Sequence, residues 1–204
     1  MLKELIIATG NKGKFREFEF LCETYSPGKN FAENLIFAPD IAKLIVEETG
    51  ETYAENAALK ARAWALKSGR PCLADDSGLE VEALDGRPGI FSARVAKGQE
   101  VKWLLNELKN VGKGKSENRR ARFVASLALC MPDEKNGKIL ISEGICEGTI
   151  ISEPRGENGF GYDPVFIPDG YDKTFAELDS KIKNSISHRT KAFLNLISNI
   201  SSLS

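Results

Sequence analysis

The chain has a single histidine, His188, and four cysteines, Cys22, Cys72, Cys130 and Cys146, with no Cys-x-x-Cys pair among them. That scatter argues against a disulfide framework or a structural zinc site and places the protein in a reduced, cytoplasmic setting. Long apolar runs are absent. The one in the opening "MLKELIIATGNKGK" is too short for a signal peptide, and nothing is long enough to span a bilayer, so no membrane partner is expected. An excess of one charge is lacking too. Charged residues make up 28% and leave a formal net charge of -1, which argues against a general affinity for nucleic acid. An anionic ligand must then be met by a few placed Lys and Arg side chains. Neither Gly-x-x-x-x-Gly-Lys-[Ser/Thr] nor Gly-x-Gly-x-x-Gly occurs at the candidate loops, which removes the P-loop and the dinucleotide fingerprint. No internal repeat or low-complexity segment interrupts the chain.

What remains is 204 residues, 42% of them hydrophobic, enough for one sizeable core in a single domain or in two intimate lobes. "ELIIA" (4–8) reads as a buried strand, "TGNK" breaks it, and "GKFREFEFLCETY" (13–25) reads as a helix closed by "SPGKN" (26–30). Residues 31–51 read as a short strand and a loop. Thr52 with Glu55 forms a capping box for a helix that stops at Gly69. "PCLA" (71–74) reads as a short buried strand, followed by a Gly/Pro-punctuated segment from Gly78 to Gly89. Residues 99–112 predict an amphipathic helix, and 114–121 a charged connector. Residues 122–131 and 138–150, joined by "PDEKNG", predict a long β-hairpin. A short element at 175–184 and a helix over about 187–198 end the chain. Mixed strands and helices predict an α/β fold with a partly antiparallel sheet.

Four stretches carry candidate chemistry. "TGNKGK" comprises Thr9, Gly10, Asn11, Lys12, Gly13 and Lys14 at a strand-to-helix junction, where free N–H groups favour an anion. Gly10 and Gly13 let the backbone come close, and Lys14 and Arg16 put positive charge where the helix dipole disfavours it unless an anion is present. The alternative is a Gly-Asn turn with solvated lysines. Asp75-Asp76-Ser77-Gly78 is open to two readings. One is a turn with Asx hydrogen bonds, which these residues taken alone favour. The other is a carboxylate pair that calls for a cation such as magnesium, with a partner acid from Glu47 or Glu48. If the strand runs on through "LADD", the two Asp side chains point to opposite faces. In "GENGFGYDP" (156–164), Phe160 and Tyr162 flank Gly161 and, if extended, share one face on which a base could stack. The alternative is an irregular loop with a core aromatic. In "KIKNSISHRTKAF" (181–193), Ser187 is an N-cap candidate. His188, a lone histidine and on that count more often structural, stands beside Arg189 with Lys183 just before, and the Arg189 fork of donors suits the O6 and N7 acceptors of a 6-oxopurine. Lys60, inside a helix, reads on its own as a solvated surface lysine.

Together these stretches are specific. "ATGNKGK" (8–14), "EETGETYAENAALKA" (47–61), "LADDSGLEVEALDGRPGIFSAR" (73–94), "GFGYDPVF" (159–166) and "SISHRTKA" (185–192) resemble the inosine triphosphate pyrophosphatase family along nearly the whole chain. The resemblance implies an α/β fold with a long curved mixed β-sheet, flanking helices and two lobes around a central cleft, in a single domain over 1–204, usually a homodimer. It implies Mg²⁺-dependent hydrolysis of ITP, dITP and XTP to the monophosphate and pyrophosphate. Residue by residue, it implies that Thr9, Gly10, Asn11, Lys12, Gly13 and Lys14 bind the triphosphate, with Lys60 facing the phosphates. Glu47 and Asp76 hold the metal, and Asp76 is also the proton acceptor. Ser77 contacts substrate, and Phe160, Gly161, Tyr162, Asp163, Lys183, His188 and Arg189 bind the nucleotide, chiefly around the base. Asp75 supports the metal site or its waters.

Overall fold

A computed structural model describes residues 2–25, 31–111, 118–132 and 138–201. The "SPGKN" closure, the helix end at Gly112, the first half of the 114–121 connector and most of the "PDEKNG" turn lie outside the described residues. Six strands form one mixed sheet in the order β2-β1-β3-β4-β5-β6. They are β1 (Leu2–Ala8), β2 (Ala32–Phe37), β3 (Cys72–Val81), β4 (Arg120–Cys130), β5 (Ile139–Ile150) and β6 (Phe166–Pro168). β1 pairs in parallel with β2 and β3, and β5 pairs antiparallel with β6. The helices are α1 (Lys12–Tyr25), the single turn α2 (Ala38–Ile41), α3 (Tyr53–Ser68), α4 (Glu100–Asn110), α5 (Ser180–Ile186) and α6 (His188–Ser201). None of the described helices is long and apolar enough to cross a membrane. The chain divides into two compact units, Met1–Asp76 with Ala125–Gly144 and Arg189–Ser204, and Ser77–Val124 with Ile145–His188.

In the first unit β1 is a strand buried on both faces, which is why it reads as a continuous apolar run. Its residues alternate. Leu5 and Ile7 join Phe18 and Leu21 of α1, Leu73 of β3, and Phe193 and Leu196 of α6. Ile6 and Ala8 join Ala57, Ala61 and Trp64 of α3, with Cys72 and Ala74 of β3. One face of the sheet thus meets α1 and α6, and the other meets α3. Both halves of the Thr52/Glu55 capping box form. The second unit packs Leu79, Val81 and Leu84 against Leu104 and Leu108 of α4, with Phe123, Tyr162, Phe166 and Phe175. None of the four cysteines is in a disulfide, and burial pushes the Cys22 thiol up to about 12.

Three sequence expectations change. The short strand at 71–74 extends through the acidic pair to Val81, so Asp75-Asp76-Ser77-Gly78 is not a turn. The ion pairs described below let carboxylates stay inside a buried strand, which residue preference alone disfavours. The end of the chain is two helices, broken at Ser187, whose backbone is extended (φ -66°, ψ 156°). The last two residues of the charged connector already belong to β4.

Candidate active site

Strand alternation decides what each carboxylate of the pair meets. Asp75 follows Leu73 on the face covered by α1 and α6, and Asp76 follows Ala74 on the face covered by α3. Asp75 Oδ2 accepts from Lys14 Nζ of α1 at 2.5 Å. Arg189 of α6 bonds it through two nitrogens, Nε to Oδ1 and Nη2 to Oδ2, each at 3.3 Å. The same guanidinium pairs with Glu17 of α1 through Nη1. Burial by itself would raise the Asp75 carboxyl. The charges of Arg189, Lys14 and Lys60 outweigh it and hold Asp75 well below the usual carboxylate range. Lys14 moves down, because burial combines with the like charges of Arg189 and Lys60 against the single carboxylate of Asp75.

On the opposite face, Lys60 Nζ donates to Asp76 Oδ1 at 2.7 Å and to Glu48 Oε1 at 2.6 Å. Lys60 is therefore no solvated surface lysine; its side chain is 15% exposed. Burial tends to lower Lys60, but two carboxylates override it and raise the ammonium. Asp76 experiences the reverse. Burial raises its carboxyl, the charge of Glu48 adds to this, and Lys60, shared between two acids, together with the more weakly felt Lys14 offsets only part. Asp76 Oδ2 is buried with no hydrogen-bond partner among the described residues. Of the two candidate acids, Glu48 is the one brought to Lys60 and Asp76, while Glu47 is exposed.

The turn before α1 is ordered by Asn11. Its Oδ1 accepts from the N–H of Gly13 at 2.7 Å and of Lys14 at 3.2 Å, while its own N–H donates to Thr9 Oγ1 at 3.1 Å. Asn11 thus caps the helix and takes up N–H groups that the sequence alone leaves open for an anion. Lys12 and Arg16 are exposed. Thr9, Gly10 and Lys60 also line a cavity of about 460 Å³ with Pro39, Lys43 and Trp64.

The base-side candidates lie in the second unit, apart from Arg189. Asp163 Oδ2 accepts from Lys183 Nζ at 2.7 Å and from the N–H of Phe160 at 2.8 Å. Gly159 makes that closure possible. Its φ is +78°, and a Cβ there would stand 2.0 Å from Asp163 Oδ2. Lys183 Nζ lies 4.8 Å from the centroid of the Phe160 ring, within cation–π range. His188 is 6% exposed and stacks on Phe123, with centroids 4.9 Å apart and planes 12° off parallel. Ser77 is half-buried in β3. The expected Phe160/Tyr162 platform does not form. Gly161 has φ +60°, so the segment is not extended and the two rings do not alternate onto one face. Tyr162 is a core residue whose hydroxyl donates to the carbonyl of Ser92 at 3.2 Å. Arg189, expected near the base, is 2% exposed and bonded to Asp75 and Glu17.

Sequence reasoning passed over Glu17. Its signal was an acid on the buried stripe of α1, one turn after Lys14 and beside Phe18 and Leu21.

The site is thus a capped strand–helix turn and buried lysines set beside two strand carboxylates of an α/β fold. The Ham1 family model matches residues 5–199, and the chain belongs to the Ham1 family. It is 45% identical over 201 residues to a dITP/XTP pyrophosphatase of Bacillus licheniformis, covering 96% of each chain. It is similar in structure to a HAM1 protein from Coxiella burnetii (TM-score 0.83, 38% identity, 99% of this chain and 100% of that one). The Ham1 protein of Staphylococcus aureus is also similar (TM-score 0.80, 37% identity, with the same coverage). The family and the mixed α/β sheet read from the motifs are thereby borne out.

Proposed function

We propose that this chain hydrolyses the deaminated purine nucleotides ITP, dITP and XTP to the monophosphate and pyrophosphate. The observation that carries the reading is Asp76. It is a buried carboxylate raised above its ordinary range, with one oxygen unpaired and the other on a lysine shared with Glu48. Such a group takes up a proton more readily than an exposed carboxylate does. The similarity to dITP/XTP pyrophosphatases supplies the substrate class.

In the proposed reaction a water oxygen attacks the α-phosphorus and its proton passes to Asp76. The bond from that phosphorus to the α,β-bridging oxygen breaks, and the pyrophosphate leaves with the electron pair. Lys14 and Lys60 offset the charge that develops on it. Lys14 stands in the first turn of α1, paired with Asp75, where a phosphate would add a second anion. Thr9 to Asn11 present the turn, and Gly10 has open space where a side chain would be.

The unpaired Oδ2 of Asp76 fits a hard divalent cation, which would be held by Asp76 with Glu47 or Glu48. Among the described residues no three or more acidic, His or Cys side chains gather to hold a metal alone, so substrate phosphate oxygens would complete the set. Magnesium bound there would neutralise phosphate charge.

On the base side, Lys183, His188 and Phe160 would meet the purine, with Ser77 close by in the chain to Asp76. Donors set for O6 are left unpaired by the amino group of adenine, which disfavours ATP. Arg189 would serve the phosphate half by holding Asp75. Asp163→Asn weakens the grip on Lys183. The expected result is a rise in KM for ITP with kcat within about twofold, seen in initial-rate kinetics. A cytoplasmic homodimer of one 1–204 domain completes the proposal, and sedimentation velocity checks the dimer.

The direct test is a Mg²⁺-dependent pyrophosphate-release panel over ITP, XTP, dITP, GTP and ATP. IMP and pyrophosphate are expected from ITP, with GTP and ATP slow. Release of IDP and orthophosphate overturns the bond assignment. Binding without turnover makes the chain a nucleotide-binding protein instead.

A further inference from the structure

Asn56, in the first turn of α3, is fully buried. Its Oδ1 accepts from the N–H of Gly50 at 2.8 Å. Its Nδ2 has no hydrogen-bond partner among the described residues. A buried amide with an unused donor is costly, and an apolar residue would fill the position without that cost. The acceptor is therefore the part of the side chain that the structure uses.

Gly50 is pressed against the same turn. A Cβ on it would lie 2.6 Å from Glu55 Cβ and 2.8 Å from Asn56 Oδ1. The next two N–H groups, of Glu51 and Thr52, donate to Glu55 Oε2 at 2.7 and 3.2 Å. Two residues before Gly50, Glu48 reaches Lys60. Asn56 and Lys60 are four residues apart on α3 and share one face of it. One helix face thus grips the acidic loop twice, at the Gly50 backbone and at the Glu48 carboxylate.

We propose that Asn56 is a positioning residue for the reaction. It fixes the backbone of the Glu47–Gly50 loop so that an acid of that loop stands beside Asp76. The inference rests on the reading that this acid and Asp76 work together on a divalent cation, and it adds a residue that touches neither the cation nor the substrate.

The test is calorimetric titration of Mg²⁺ into the full chain saturated with an ITP analogue that has a methylene in place of the α,β-bridging oxygen, beside steady-state kinetics with ITP, for four proteins. These are the wild type, Asn56→Ala, Gly50→Ala and Asp76→Asn. Gly50→Ala keeps Asn56 but forces the loop off it, so the inference stays testable if Asn56→Ala fails to fold. Both loop variants are expected to weaken Mg²⁺ binding about tenfold, as loss of a supporting contact does at metal sites. Both are expected to lower kcat, with KM for ITP changed less than about twofold. If Asp76→Asn loses Mg²⁺ while the folded loop variants bind as the wild type does, the positioning role is overturned. If Asp76→Asn also binds as the wild type does, it is the metal reading that fails.

Discussion

Asp76→Asn is expected to lower kcat for ITP by about 10²- to 10⁴-fold, the usual contribution of a general base, while the protein keeps its fold. The side chain changes by one atom type, so packing on β3 is preserved. What is lost is the proton acceptor and the negative charge next to Lys60. Stability should hold or rise. Burial raises the Asp76 carboxyl, so its ionised form at neutral pH opposes folding, and a neutral amide removes that opposition. Lys60 keeps Glu48 as its partner. Pyrophosphate release and a thermal melt on the same preparation check both halves. Activity near the wild-type level removes Asp76 from the chemistry. A fall in kcat that tracks a fall in melting temperature shows only unfolding. The expected combination, activity lost and stability kept, is the mark of a group held in place for function.

Asp75→Ala should do the opposite, and its larger effect is on the fold. Asp75 is fully buried between Lys14 and Arg189, and Arg189 is itself shared with Glu17. Removing one member of a buried ion-pair set leaves charge uncompensated and costs about 3–5 kcal/mol. For a chain of this size that lowers the melting temperature by about 10 °C. The pH dependence follows from the direction of the Asp75 shift. Its carboxyl lies lower in the folded state than in the unfolded chain, where it is close to ~3.9. Its contribution is complete above that unfolded value and is lost as pH falls towards the folded one. Urea midpoints at stepped pH from neutral to about 2 should therefore show the gap between the wild type and Asp75→Ala begin to narrow below about pH 4. A gap of constant size across that range refutes the account of Asp75 as the ionised hub of this network.

The two substitutions separate residues that are neighbours in sequence and of the same type. Their difference comes from β3 passing between two layers of helices, so that one carboxylate meets α1 and α6 and the other meets α3. The sequence reading anticipated opposite faces if the strand continued. It could not supply the continuation, because buried carboxylates in a strand are stable only beside partners 61 and 114 residues away, Lys14 and Arg189. Lys60 shows the same limit. Its place on a helix was legible, but its burial depends on the loop carrying Glu48 and on β3. The Phe160/Tyr162 platform failed for a local reason, the left-handed Gly161, and Tyr162 was drawn instead into the core of the second unit.

By itself, the sequence determined the elements that local chemistry specifies. These are the apolar run of β1, the capping box and Gly69 stop of α3, the stripe of α4, and the motif set that marks the Ham1 family. It also set aside zinc, disulfides and a P-loop, through residues that are missing or wrongly spaced. Only the tertiary structure decided which way each carboxyl is shifted. Whether a carboxylate is held low, as Asp75 is, or raised, as Asp76 is, depends on how many cations face it and how deeply it is buried. Those are distances in space between residues far apart along the chain, and no pattern of spacing encodes them.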